Sequence, residues 1–399
     1  MGRALALLIA VVAPLAQAQD NKGGFKINPE VNQVKVEQAI QRGIAFLRKS
    51  DSPDSYIGGD SDELKLLTFV HGGVPETDAD FQALLAKCLE RKLEKTYKVS
   101  VLAMALEEID RVKYQDKLAL CGQFLLDTIR PNGGFTYGDP TAAVPEAGAP
   151  VKKGIASTNK PPPPINPDVK IKPEVTKRIT LKKSREGTEG QRTDNSNSQY
   201  GALGIRACHD AGIVFPKEII ERCRKYWVDN QRTDLKTKGV ASGGKVGFGW
   251  CYSEGEPCSK NGPAYGSMTA GAVGALCIYN HILGKNWKQD KAVVDGMNWL
   301  DTNYSVTQNI GPCEIAPVDD GWLYYYLYAL ERTGLLFDTT LIGKHDWYLD
   351  GYKVLLSAQK GDGSWDKSHF IKPTWDTCFA ILFLKRSTRP LVASTVSPR

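Results

Sequence analysis

The chain has 399 residues, 42% of them hydrophobic, with 51 Lys/Arg against 45 Asp/Glu and a formal net charge of +6. That is enough apolar material for a large core, and the basic excess is local: residues 140–192 hold 11 Lys/Arg and 5 Asp/Glu, a net of +6 that leaves the remainder close to neutral. Positive charge confined to one Pro-rich stretch reads as a solvated insertion or surface-contact arm, and no nucleic-acid partner is expected.

In chain order, residues 1–18 carry the marks of a signal peptide. Arg3 is a short positive leader, Ala4 to Ala13 is an apolar run too short to span a bilayer, and Ala16-Gln17-Ala18 fits the small-x-small cleavage rule. The expectation is cleavage near Ala18 and export to a periplasmic or secreted location. Residues 19–36 form an N-terminal extension. No later run approaches 18 apolar residues, so no transmembrane segment is expected in the mature chain.

Residues 37–388 are periodic. Five segments place bulky apolar residues three and four positions after a small or basic one. They are Gly43 with Phe46 and Leu47, Gly122 with Leu125 and Leu126, Arg224 with Trp227 and Val228, Gly296 with Trp299 and Leu300, and Gly351 with Val354 and Leu355. That spacing puts both bulky residues on one face of an amphipathic helix. A second type of helix, apolar almost all round, follows at Val99 to Leu106, Tyr200 to Ala207, Met268 to Leu276, Leu323 to Leu330 and Thr377 to Leu384. Gly-and-aromatic turns stand between several of them, at Gly133-Gly134-Phe135, Gly249-Trp250 and Gly363-Ser364-Trp365. Alternating amphipathic and enclosed helices predict an all-α fold with an inner row sheathed by an outer one, either an open solenoid or a closed ring. Two insertions interrupt the pattern: 140–192, Pro/Lys-rich and expected to be extended or disordered, and 233–263, a Gly-rich loop. Residues 389–399 form a C-terminal tail.

The nine cysteines are compatible with disulfides in an exported protein, and Cys251 with Cys258 is the best local pair. Cys208, Cys277 and Cys378 sit in apolar helical runs and read as buried small hydrophobes.

The stretch Gln359-Lys360-Gly361-Asp362-Gly363-Ser364-Trp365 resembles the QW repeat of squalene–hopene cyclases and related terpenoid cyclases, with weaker echoes at Gln231 with Gly249-Trp250 and at Arg130 with Gly133-Gly134-Phe135. The resemblance, to the prenyltransferase and squalene oxidase repeat class, covers most of 37–388 outside the insertions. It implies an α/α toroid in which Gln359, Asp362, Gly363 and Trp365 tie helix ends together.

The chemistry of that family starts with an Asp-x-Asp-Asp acid. The nearest match is Pro317-Val318-Asp319-Asp320, in which Pro317 replaces the first Asp. The resemblance makes Asp319 the acid and Asp320 its neighbour; Asp376, at the start of another enclosed helix, is a third carboxylate near the same mouth. The competing reading of Asp319 and Asp320 is two ordinary first-turn residues. If the enclosed helices run in register, Tyr200, Tyr265, Trp322, Tyr325 and Trp375 gather near one mouth as ligand-binding aromatics.

Asp376-Thr377-Cys378 has the local spacing of a prenyltransferase zinc pair, but no His follows it, so no metal and no cofactor is expected. The resulting reading is a binding or scaffold protein with degenerate catalytic equipment, whose partner is an apolar or isoprenoid ligand or another protein. The alternatives are an isoprenoid cyclase or transferase using Asp319 as general acid, and a carbohydrate-active (α/α) barrel enzyme pairing Asp319 or Asp320 with Asp376.

Overall fold

Asn32 begins the first helix by accepting a hydrogen bond from the Lys35 N–H at 3.0 Å, and Asp78, Asp194, Asp290 and Asp346 cap four later helices in the same way. The computed structural model describes residues 27–50, 62–138, 172–186, 192–232, 239–240, 246–252, 264–310, 322–367 and 372–391. Among them are twelve α-helices: α1 (Gln33–Lys49), α2 (Asp62–Gly72), α3 (Ala79–Glu90), α4 (Thr96–Asp110), α5 (Gln115–Thr128), α6 (Asn195–Asp210), α7 (Lys217–Asp229), α8 (Gly266–Ile282), α9 (Lys291–Thr302), α10 (Leu323–Phe337), α11 (Trp347–Ala358) and α12 (Pro373–Lys385). The strands are short two-residue pairings. Of these, β1 (Ile179–Thr180) runs parallel to β2 (Ile213–Val214). No helix among the described residues is long and apolar enough to cross a membrane.

The two helix types differ as their sequences predict. In α1 the buried residues are Val36, Ala39, Ile40, Gly43, Ile44 and Leu47, one face of an amphipathic helix. In α8 every residue from Gly266 to Asn280 is buried, and in α12 every residue from Thr374 to Leu384. The even-numbered helices pack in the order α2, α4, α6, α8, α10, α12, and α12 packs against α2. The odd-numbered helices pack on them: α1 against α12 and α2, α3 against α2, α5 against α4 and α6, α7 and α9 against α8, and α11 against α10 and α12. The pair α2 and α3 is absent from the sequence pattern above. Its apolar run, Leu64, Leu66, Leu67 and Phe69, is too short to separate from a buried strand by periodicity alone.

The Gly-and-aromatic turns make the same bonds in two places. Trp365 Nε1 donates to Leu355 O and Trp250 Nε1 to Trp227 O, each at 2.8 Å. The backbone N–H groups of the two tryptophans donate to Thr377 Oγ1 at 3.0 Å and Thr269 Oγ1 at 3.1 Å. Gln359 Nε2 donates to Ala39 O at 2.8 Å and Gly363 O at 2.9 Å. Gln231 Nε2 donates to Ala292 O at 3.0 Å and Phe248 O at 3.1 Å. Gly43 and Gly296 make room for the indoles: a Cβ at either would come within 3.0 Å of Trp365 or 2.9 Å of Trp250. Asp362 holds the last turn by accepting from Ser364 N–H at 2.9 Å.

The third turn corrects the register expected of it. Arg130 N–H donates to Gly134 O at 3.0 Å, as Lys360 N–H does to Ser364 O at 2.9 Å, so Arg130 matches Lys360 and Ile129 occupies the glutamine position. Phe135 takes the tryptophan position, keeping the backbone bond, to Ser198 Oγ at 3.0 Å, but having no indole N–H.

Residues 172–186, within the insertion 140–192, are extended and anchored to the helices. Arg111 Nε donates to Pro173 O at 2.8 Å, β1 pairs with β2, and the Ser184 N–H donates to Asp127 Oδ1 at 2.8 Å. The reason is that the carboxylates Glu107 and Asp127, both buried, and the partly buried Glu108 lie along this path and take Lys172 and Ser184 as partners. Of the segment's basic residues, Lys172 pairs with the acidic groups of α4.

Candidate functional site

The N-terminal turns of four even-numbered helices converge on one aromatic cluster. Tyr97 on α4 lies 4.0 Å from Tyr200 on α6, centroid to centroid, and stacks on Trp375 of α12 at 5.7 Å. Tyr200 stacks on Tyr325 of α10 at 6.2 Å, and Trp322 meets Tyr325 edge-on at 5.8 Å. Phe379 closes the group, 5.6 Å from Tyr325 and 5.9 Å from Tyr328. The structure brings together four of the aromatics named from the sequence, Tyr200, Trp322, Tyr325 and Trp375. Tyr97 and Trp322 are half-buried and bring the cluster to the surface. Tyr265 stands apart from these ring contacts, at the N-cap of α8, where its N–H donates to Trp250 O at 3.0 Å.

One deeper residue escaped the sequence reading. Arg332, on α10, is 2% exposed, and its guanidinium lies over the rings of Tyr328 at 4.1 Å and Tyr200 at 5.3 Å. Its Nη2 donates to Gln199 Oε1 at 3.0 Å. Gln199 Nε2 in turn donates to the Tyr325 hydroxyl at 2.6 Å, and that hydroxyl is 3.0 Å from Ser196 Oγ. Burial raises the hydroxyls of Tyr97 and Tyr200 above the usual tyrosine range, so both stay protonated. In sequence, Arg332 is one charge in an apolar run with Glu331, and nothing there distinguishes an inward arginine from a solvated one.

Asp376 is fully buried beside the cluster, and its Oδ2 accepts from the Lys367 N–H at 3.1 Å. Burial and then the charge of Asp376 raise the neighbouring Tyr324 hydroxyl above its usual range. Asp319 and Asp320 lie outside the described residues, so the pairing of either with Asp376 is not part of the site's geometry. A further pair of adjacent carboxylates does begin an even-numbered helix. Asp62 and Glu63 are buried at the start of α2, with Asp62 bonded to Arg91 and 2.6 Å from Lys87, and Glu63 Oε1 3.4 Å from Arg91.

Cys258 also lies outside the described residues, and with it the proposed pairing with Cys251. Cys251 Sγ accepts from Arg232 Nη2 at 2.9 Å and Nε at 3.2 Å. Cys208, Cys277 and Cys378 are buried in helices, as read from the sequence. Burial pushes the Cys378 thiol up to about 12, which keeps it protonated and unsuited to binding a metal. Among the described residues no group of His, Cys, Asp and Glu is arranged to hold a metal ion.

A second feature is a shallow open pocket of about 60 Å³ lined by His71, Glu107, Glu108, Arg206, Asp210 and Arg389 among others. Its charges are already matched. Lys172 bridges Glu107 and Glu108, Arg389 bonds to Glu108 through Nε and Nη2, and Arg206 Nε is 3.4 Å from Asp210.

Comparison with protein-family models and with curated proteins finds no match to this chain.

Proposed function

We propose that the chain is an exported α/α toroid of the terpenoid-cyclase-like repeat class that binds a ligand at the mouth bounded by Tyr97, Trp322, Tyr325 and Trp375, and that its cyclisation chemistry is lost. The ring reading is supported by the cyclic packing order of the even-numbered helices and by the Gln359–Ala39 bond, which joins the last turn to the first helix. Export rests on the leader pattern of residues 1–18 alone.

Arg332 carries the functional part. A cyclase cavity stabilises a developing carbocation with the negative faces of its aromatic rings, and those faces must be free. Here Tyr200 and Tyr328 already face a permanent cation. At a separation of about 5–6 Å and an effective dielectric of about 20, a second positive charge would be repelled by about 3 kcal/mol, roughly a hundredfold in rate. Pro317 in place of the first acid of the motif weakens initiation as well.

The test is to incubate the purified protein with squalene and with geranylgeranyl diphosphate and to analyse the extracts by gas chromatography–mass spectrometry. No cyclised product is expected. A cyclised product that disappears in Asp319→Asn would establish the enzyme reading instead.

A further inference from the structure

We propose that the Arg332 cluster is a binding site for a carboxylate. This rests on the reading of the mouth as a ligand site and names the class of ligand it takes.

Arg332 is a buried cation whose hydrogen-bond acceptor is a neutral amide. Among the described residues no carboxylate comes within 4 Å of its guanidinium. The adjacent Glu331 commits its oxygens elsewhere, accepting from the Thr388 N–H at 2.9 Å and the Thr388 hydroxyl at 2.7 Å. Arg332 keeps one neutral amide acceptor, Gln199 Oε1, and its Nη1 has no hydrogen-bond partner. A buried guanidinium with an unused donor is costly unless an anion completes it.

Trp375 Nε1 is a second buried donor without a hydrogen-bond partner, while the Tyr97 and Tyr200 hydroxyls turn toward each other and Tyr200 toward Arg332. They belong to one stack, with Tyr97 between Tyr200 and Trp375, and Arg332 lies against Tyr200. An indole N–H and a guanidinium can only donate. The unpartnered Arg332 Nη1 and Trp375 Nε1 therefore call for an acceptor.

Its charge and shape follow from what surrounds it. One arginine balances one negative charge. The planar guanidinium edge matches a carboxylate, and the surrounding aromatic rings favour an apolar body attached to it. Phosphate and chloride offer the same charge without the planar edge, and the test separates them.

Binding is measured by isothermal titration of the full-length protein with sodium benzoate at constant ionic strength, with benzyl alcohol, inorganic phosphate and chloride as comparisons. Saturable benzoate binding is expected, at least tenfold tighter than any of the three comparisons. Arg332→Gln should abolish it. Because that variant alters a buried charge, Tyr97→Phe and Trp375→Phe serve as milder tests, each expected to weaken benzoate several-fold while keeping the wild-type circular dichroism spectrum. Absent benzoate binding, equal affinity for chloride or phosphate, or unchanged affinity in both milder variants would overturn the assignment. A cyclised isoprenoid product would instead overturn the reading on which it rests.

Discussion

Gln359 and Ala39, 320 residues apart in sequence, are joined by a hydrogen bond of 2.8 Å from the glutamine Nε2 to the alanine carbonyl. Gln231 and Ala292 form the equivalent bond at 3.0 Å between α7 and α9. One bond links neighbouring odd-numbered helices within the chain, and the other links the last odd-numbered helix to the first.

These two bonds should have comparable energetic weight. Gln359→Ala and Gln231→Ala each remove two hydrogen bonds to backbone carbonyls, and each should cost about 1–3 kcal/mol. Their partners are separate, so the double variant should equal the sum within about 0.5 kcal/mol. Urea denaturation of the three variants measures both statements. A silent Gln359→Ala would show that the contact between α1 and the last turn contributes nothing to stability.

Gly363 and Gly133 hold corresponding places in two turns, at φ +92° and +93°. A Cβ on Gly363 would overlap the Arg42 carbonyl oxygen of α1, and one on Gly133 the Arg222 carbonyl oxygen of α7. Alanine is strained by φ at both sites and displaced by backbone that cannot rotate away, so each substitution should cost well over about 1 kcal/mol. Gly361, where a Cβ meets nothing within 4 Å, is the control and should tolerate alanine. Thermal melting curves distinguish the two classes.

Lys172 is the anchor of the basic segment, its ammonium shared between Glu107 and Glu108. Lys172→Met takes the nearest cation from the buried Glu107, beside a Glu108 that keeps Arg389, and should destabilise by about 3–5 kcal/mol near neutral pH. Burial already raises the Glu107 carboxyl, so this residue takes up a proton readily once Lys172 is gone. The deficit should therefore shrink as pH falls. A deficit that grows under acid conditions would contradict this account of the segment.

Glu108 has the opposite tendency. Burial alone would raise it, but His71, Lys172 and Arg389 together hold it well below the usual carboxylate range. Its folded pKa is depressed, so its stabilisation is fully present above the unfolded value of about 4.3 and lost as pH falls through the folded one. Arg389→Met removes one of the three cations and should flatten the acid limb of the stability–pH profile below about pH 4. Denaturant midpoints between pH 2 and 7 in wild type and variant provide the comparison.

The helix types were legible because Trp227, Trp299 and the enclosed run of α12 repeat at helical spacing, and because Gln359 with Trp365 forms a recognisable turn. The α2–α3 pair was not, since Leu64 to Phe69 makes too short a run for its period to be read. At the site, the aromatics Tyr200, Trp322, Tyr325 and Trp375 could be gathered by assuming helices in register. Tyr97 could not, because it follows the polar residues Lys95 and Thr96 and looks like a solvated helix start. Arg332 was hidden for a different reason. The sequence gives a charge its position along a helix, whereas its burial depends on Gln199, Tyr200 and Tyr328, contributed from other turns and another helix. The carboxylates favoured by family resemblance, Asp319 and Asp320, lie outside the described residues, so the site is defined by a cation the resemblance did not mention.

The most direct test of the binding reading is native mass spectrometry of the protein, expressed from the full sequence and purified without denaturation, beside Arg332→Gln prepared identically. A discrete small-molecule adduct on the wild type that is missing from the variant is the expected result. A wild-type protein that carries no adduct, or an adduct retained in full by Arg332→Gln, would contradict a ligand site built on this arginine.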